Sequence, residues 1–204
     1  MLTLKNRFFY LMAAAVVLAV VAASPVPLAA GETAAVQKTF DFILKDYHGK
    51  NFSLADYQDA KAVVVLYVAT RCPVSNAYNK RMADLYNDFK EKNIAFIGIN
   101  ANKSEDAAEV KEHAQKNGLD FPILKDIDNV VADRYEASVT PEVYVLDRGK
   151  KLLYHGRIDD SRREDQVTSR DLYNALTEIL SGKETTVKET KAFGCTIKRV
   201  EKGK

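Results

Sequence analysis

Apolar positions along this chain follow two rhythms, and the switches between them mark the elements. From Ala62 to Ala69 the run AVVVLYVA is β-branched and aromatic without polar alternation, which predicts a strand buried on both faces. From Pro73 to about Asn93 the period lengthens. Tyr78, Met82, Leu85 and Phe89 recur at i, i+4, i+7 and i+11, one face of an amphipathic helix. Ile94–Ile99 (IAFIGI) reads as a second buried strand. Ser104 is then expected to cap a helix running to about Lys116, with Ala107, Val110 and Ala114 inward and Gly118 as its stop. Val130–Tyr135 reads as a short helix. Upstream, Phe40–Leu44 and Phe52–Leu54 read as strands around a turn at Asp46–Gly49, with Ser53 and Asp56 as a weak capping box. Downstream, Glu142–Asp147 and Lys151–Tyr154 form an antiparallel pair turning at Arg148–Lys150, and Ser169–Leu180 is a last helix closed by Gly182.

This order predicts an α/β fold: one mixed β-sheet flanked by helices on both faces, with an N-terminal β-hairpin and a right-handed crossover between the two buried strands. No internal repeat or interdomain linker is evident. Residues 1–30 stand apart. Lys5 and Arg7 precede a 16-residue apolar run, Phe8–Ala23, followed by small residues and prolines. That is the pattern of a secretory signal, cleaved after Ala30 or after Ala23, and the run is short of the roughly 20 residues a membrane-spanning helix needs. A retained N-terminal anchor is the alternative, and membrane association is expected only in that case. The expected division is therefore a signal over 1–30, a domain over 36–182 and a polar C-terminal tail over 183–204. Export places the chain in a periplasmic or extracellular setting.

Charge narrows the partners. The chain has 30 Lys+Arg against 28 Asp+Glu, and beyond residue 30 the counts are 28 and 28 once Lys5 and Arg7 are set aside. Interspersed, balanced charge gives no long-range field for nucleic acid or anionic lipid. His48, His113 and His155 are scattered without ligand spacing, so no metal is assigned, and His113 is read as a surface residue. No P-loop, dinucleotide fingerprint or GxSxG is present, and no cofactor is assigned. Asp159 and Asp160 lack a supporting constellation and are read as solvated or capping.

The two cysteines carry the chemistry. Cys72 follows a buried strand and precedes Pro73, a residue favoured at the first position of a helix, so it falls at the helix N-terminus. Unpaired backbone N–H groups and the helix dipole there favour a thiolate. Arg71 and Arg157 are candidate sources of further positive charge. Cys195 sits in an apolar island, Ala192–Ile197, of an otherwise charged tail that is expected to dock on the domain. In an oxidising compartment two cysteines admit one internal pairing. A redox-active pair, with Cys195 as a resolving thiol on a mobile tail, stands ahead of a static bridge and of independent roles.

At these residues the chain resembles the redoxins, the branch of the thioredoxin-like superfamily that includes the thiol-specific antioxidant (alkyl hydroperoxide reductase) proteins. The resemblance rests on VVVLYVATRCPVSNAYNKRM, on Ser138–Asp147 (SVTPEVYVLD) and on the Phe-x-Leu-x-Asp-x-x-Gly hairpin, and spans about residues 36–182. Gly156–Asp160 and Phe193–Lys198 resemble a poorly characterised exported branch. The resemblance implies that Cys72 is the reactive cysteine and that Pro141, after Thr140, is a cis proline facing it. It implies an oxidoreductase or peroxidase whose partners are thiol or disulfide proteins, or a small peroxide, with an external reductant. Two departures stand out. Ser75 occupies the position of the second cysteine of a CxxC pair, and Val65 and Ala69 stand where peroxiredoxins carry Pro and Thr. The Val68–Cys72 stretch is closer in style to glutathione peroxidase-like sites. A non-catalytic binding module stapled by a disulfide remains the alternative.

Overall fold

Nine strands and five helices follow one another in a computed structural model that describes residues 39–201. The expected signal segment lies outside the described residues. The elements are β1 (Ile43–Asp46), β2 (Asn51–Ser53), β3 (Ala62–Tyr67), α1 (Pro73–Ala77), α2 (Asn79–Phe89), β4 (Ile94–Asn100), α3 (Ala107–Asn117), β5 (Ile123–Lys125), α4 (Val130–Tyr135), β6 (Val139–Thr140), β7 (Glu142–Asp147), β8 (Leu152–Gly156), α5 (Asp171–Leu180) and β9 (Cys195–Thr196). Seven strands form one mixed sheet in the order β2-β1-β5-β4-β3-β7-β8, and β6 and β9 form a separate two-stranded sheet. β3 and β4 are parallel from Ala62↔Ile94 to Tyr67↔Ile99, as a strand–helix–strand unit requires, and β7 lies antiparallel on the other side of β3.

The continuous apolar run of β3 serves two cores. Ala62, Val64 and Leu66 pack on one face with Met82, Leu85 and Phe89 of α2, Val110 of α3 and Leu172 and Leu176 of α5. Val63, Val65 and Tyr67 pack on the other with Ile97, Ile99, Tyr135 of α4, and Phe40 and Phe42. Period-two alternation of apolar side chains is what a doubly covered central strand needs.

Several boundaries differ from expectation, each for a local reason. Residues 73–89 form two helices, because the Tyr78 amide bonds to the Ser75 carbonyl three residues back (2.9 Å) and breaks the α ladder. The cap of α3 is Asp106, whose carboxylate accepts the Glu109 amide (2.8 Å); Ser104 and Ala107 are exposed. The first strand begins at Ile43, and Phe40 and Phe42 are buried without being in it. Strand β5 had no sequence signal. Three residues directly after Pro122 are too few to show a period, yet they join β1 to β4.

Candidate functional site

The end of β3 and the start of α1 converge on Cys72, the N-cap of α1, with Pro73 at the first helical position. The Ser75 amide donates to Cys72 Sγ at 3.2 Å, and Ser75 Oγ accepts the Ala69 amide at 3.2 Å. Ser75 is fully buried, so the residue at the second-cysteine position ties the strand end to the helix start. Cys72 is 5% exposed, and the Thr140 carbonyl oxygen lies 3.3 Å from its sulfur. The Thr140–Pro141 peptide is cis, as the resemblance implied.

Cys72 is disulfide-bonded to Cys195, 123 residues away, with Cα atoms 5.8 Å apart. Cys195 reaches it as a strand: β9 runs antiparallel to β6, with Cys195 opposite Thr140 and Thr196 opposite Val139. Two glycines let the tail approach. A Cβ on Gly194 would sit 2.0 Å from the Thr140 carbonyl oxygen, and Gly156 (φ +142°) faces Thr190, whose Oγ1 would lie 2.1 Å from a Cβ there.

The expected mobile tail is instead held on both sides of Cys195. His155 donates its amide to the Lys188 carbonyl and accepts the Thr190 amide, each at 2.9 Å. Beyond the cysteine, Ile197 is buried, its amide bonds to the Ser138 carbonyl (3.0 Å), and Val200 bonds to Asn129 Oδ1 (2.7 Å). The docking itself was expected from the apolar island; the backbone pairing was not.

The two candidate arginines are committed elsewhere. Arg71 pairs with Glu109 through Nε (2.8 Å) and Nη2 (2.5 Å), which holds the Glu109 carboxyl below its usual range. Arg157 pairs with Asp171 (2.7 Å). The donor recorded at the Cys72 sulfur is the Ser75 N–H at the helix start, while these two guanidinium groups are held by carboxylates.

One buried group near the site had no sequence signal, and two others lie deeper than expected. Glu142, directly after Pro141, is buried and accepts the Ser138 amide (2.7 Å), the Val139 amide (3.1 Å), Tyr144 Oη (2.9 Å) and His155 Nε2 (2.7 Å). Burial alone would push its carboxyl up, but these bonds together hold it below the ordinary value. Asp159, read as solvated or capping, accepts the Ser161 amide (3.3 Å) but is not solvated: it is buried against Arg81 (2.5 Å) and Tyr78 Oη (2.8 Å). His113, expected at the surface, is half-buried between Asn79 (3.2 Å) and Asn117 (3.4 Å), and burial pushes its imidazole down. Among the described residues no three His, Cys, Asp or Glu side chains gather where they could hold a metal ion.

The sequence model of the AhpC/TSA family matches residues 35–155, more than half of the chain. The chain belongs to the AhpC/TSA family. The match includes Cys72 and Pro141 and ends before Cys195. Among curated proteins, thiol-disulfide oxidoreductase ResA of Bacillus subtilis (strain 168) is 27% identical over 113 residues, covering 55% of this chain and 62% of ResA. Peroxiredoxin Q of Suaeda salsa, a chloroplastic protein, is 30% identical over 135 residues, covering 62% of each chain. The chain thus spans a little under two thirds of the length of these relatives. Among solved structures, a hypothetical protein from Sinorhizobium meliloti 1021 superposes with a TM-score of 0.74 at 33% identity, covering 78% of this chain and 91% of that one. Thiol-disulfide oxidoreductase structures at 19–20% identity also superpose, which establishes the thioredoxin-like fold class.

Proposed function

We propose that this chain is an exported thiol-disulfide oxidoreductase in which Cys72 is the nucleophile and Cys195 its resolving partner. One observation carries the reading: the Cys72–Cys195 bridge lies at a helix N-terminus, against the Thr140 carbonyl. In the reduced chain the Cys72 thiolate, accepting the Ser75 N–H, attacks one sulfur of a partner protein's disulfide. The partner's other sulfur leaves as a thiolate and a mixed disulfide forms. Cys195 thiolate then attacks Cys72 Sγ, expelling the partner's second thiolate. The partner has gained two electrons, and the chain holds its bridge until an external thiol reductant restores it. Thr140 and Pro141 wall the sulfur; Arg71 and Arg157 position loops through Glu109 and Asp171. Residues 1–30 serve as the export signal, 36–182 as the redox domain, and 183–204 as the tail delivering Cys195.

A second reading, a peroxidase, is favoured by the family and by the peroxiredoxin Q relative. Cys72 would then attack a peroxide oxygen, becoming a sulfenic acid as the alcohol or water leaves, and Cys195 would condense with it, releasing water. It ranks second because Val65 and Ala69 stand in place of Pro and Thr, and both nearby arginines are paired with carboxylates. One experiment separates the readings. The oxidised mature chain is equilibrated in glutathione redox buffers, and the reduced chain is given one equivalent of hydrogen peroxide, with thiols followed by mass. Reversible exchange with glutathione supports the oxidoreductase, and fast peroxide-dependent loss of the Cys72 thiol supports the peroxidase. A bridge that stays closed below about −300 mV with no peroxide reaction identifies a static staple, worth roughly 4–5 kcal/mol.

A further inference from the structure

Behind the bridge lies a buried carboxylate that this reaction does not use. Glu105 is 3% exposed, and both its oxygens are doubly engaged. Oε2 accepts the Thr70 amide (2.8 Å) and Asn100 Nδ2 (2.5 Å), while Oε1 accepts the Arg71 amide (3.1 Å) and Asn102 Nδ2 (3.1 Å). Thr70 and Arg71 are the two residues leading into Cys72. Asn102 faces the tail. Its Oδ1 accepts the Lys198 amide (2.7 Å), and the Lys103 amide donates to the Lys198 carbonyl (2.8 Å), three residues past Cys195. Lys125 Nζ closes the cluster from below, on Asn100 Oδ1 and the Asn102 carbonyl (each 2.6 Å).

We infer that Glu105 is a positioning residue that hangs both cysteine-bearing segments from one node, so that the two thiols stay opposed once the bridge opens. The inference deepens the redox reading and rests on it for its purpose, because only a bridge that opens needs its thiols held. The oxidised form is held covalently whether or not the node is intact. The dithiol form depends on the node, together with the backbone pairing of the tail, buried Ile197 and the bonds of Arg199 and Val200, to keep Cys195 near Cys72. Cutting the node frees the dithiol form, lowers the effective concentration of one thiol at the other, and makes the bridge easier to reduce. A carboxylate suits the task because it only accepts hydrogen bonds, and four donors converge on it; an amide would turn an N–H₂ towards two of them.

The test is the equilibrium constant of the full mature chain with dithiothreitol, a reductant strong enough to open a static bridge as well. Glu105→Gln cuts the branch to the Cys72 loop, and Asn102→Ala cuts the branch to the tail without changing any charge. Each variant is expected to lower the constant for bridge formation about tenfold, equivalent to about 30 mV for a two-electron couple. The double variant should go no further than the larger single effect, since the branches act in series. By linkage the oxidised form of each variant should lose more stability than its reduced form, by that same tenfold, whereas mere support of the fold would lower both alike. A constant within twofold of wild type in Asn102→Ala, or shifts that multiply in the double variant, would overturn the inference. Should Glu105→Gln fail to fold, Asn102→Ala decides alone. A wild-type bridge that dithiothreitol opens and glutathione does not would end the redox reading while leaving the node measurable.

Discussion

The two sulfurs of this bridge have unequal surroundings, and that inequality sets the direction of attack. Cys72 is buried, receives the Ser75 N–H and sits at the positive end of a helix; Cys195 is partly exposed on a surface strand. An entering thiolate attacks the sulfur it can reach and expels the one better stabilised as a leaving thiolate. Glutathione added to the oxidised chain and quenched with acid should therefore be found by peptide mapping on Cys195, with Cys72 free. A majority of adduct on Cys72 would show that the entering thiol reaches the buried sulfur, by the reverse of the resolving step. The place of Cys72 at a helix start was legible in the sequence because a buried strand and Pro73 flank it. Pro141 and the position of Ser75 came from the resemblance, and the bond from the Ala69 amide to Ser75 left no sequence signal. The burial of Asp159 was not legible, because the Arg81 that buries it lies 78 residues upstream. Pairings over such distances leave no local pattern.

At the scale of elements, the tail strand is the part a sequence pattern could least supply. β9 is two residues long, and its pairing with β6 depends on the turn at Thr140–Pro141 and on a glycine that permits close approach. The long elements were readable: β3 and β4 are continuous apolar runs, and α5 and the buried face of α2 carry a helical period. The short ones were not, and β5 and β9 escaped for the same reason. The break at Tyr78 escaped because neither Gly nor Pro marks it; it arises from the amide that turns back to Ser75. Gly194 gives this level its test. A methyl group there would meet the Thr140 carbonyl oxygen at 2.0 Å, and that oxygen belongs to backbone already fixed by β6. Gly194→Ala is expected to push β9 off β6, cost about 1–3 kcal/mol in denaturant unfolding of the oxidised chain, and slow bridge closure after reduction. Wild-type stability together with wild-type closure would show that the strand pairing does not set the approach of Cys195.

Across the whole molecule, two buried groups, His113 and Glu142, each make stability fall with acid in a window of its own, while Asp126, raised by burial, acts in the opposite sense. His113 lies between α2 and α3, and its imidazole is pushed down by burial, against the pull of Glu105 and Glu109 and with Lys116 adding to the shift. The unfolded chain therefore binds this proton more readily than the native one. The stabilisation is full above about pH 6.5, the ordinary histidine value, and is lost as pH falls through the lower native value. Glu142 is also lowered, because its hydrogen bonds from His155, Ser138, Val139 and Tyr144 together exceed its burial cost. Its contribution is full above the usual carboxylate range near pH 4.5 and fades as pH drops below it. The exposed carboxylates Asp160 and Glu178 are lowered as well, but they face solvent, where such contributions are small. Salt therefore sorts the contributions. Urea unfolding between pH 3.5 and 8 should show both steps, and both should survive 0.5 M salt, since about 4 Å of Debye length screens surface charges far more than buried ones. His113→Asn should remove the upper step alone. Glu142→Gln should remove most of the lower one and cost about 1.5–3 kcal/mol at pH 7, where the native carboxylate receives its donors. Steps that vanish in salt, or that persist unchanged in these variants, would place the acid sensitivity on the surface instead of behind the cis proline and between the two helices.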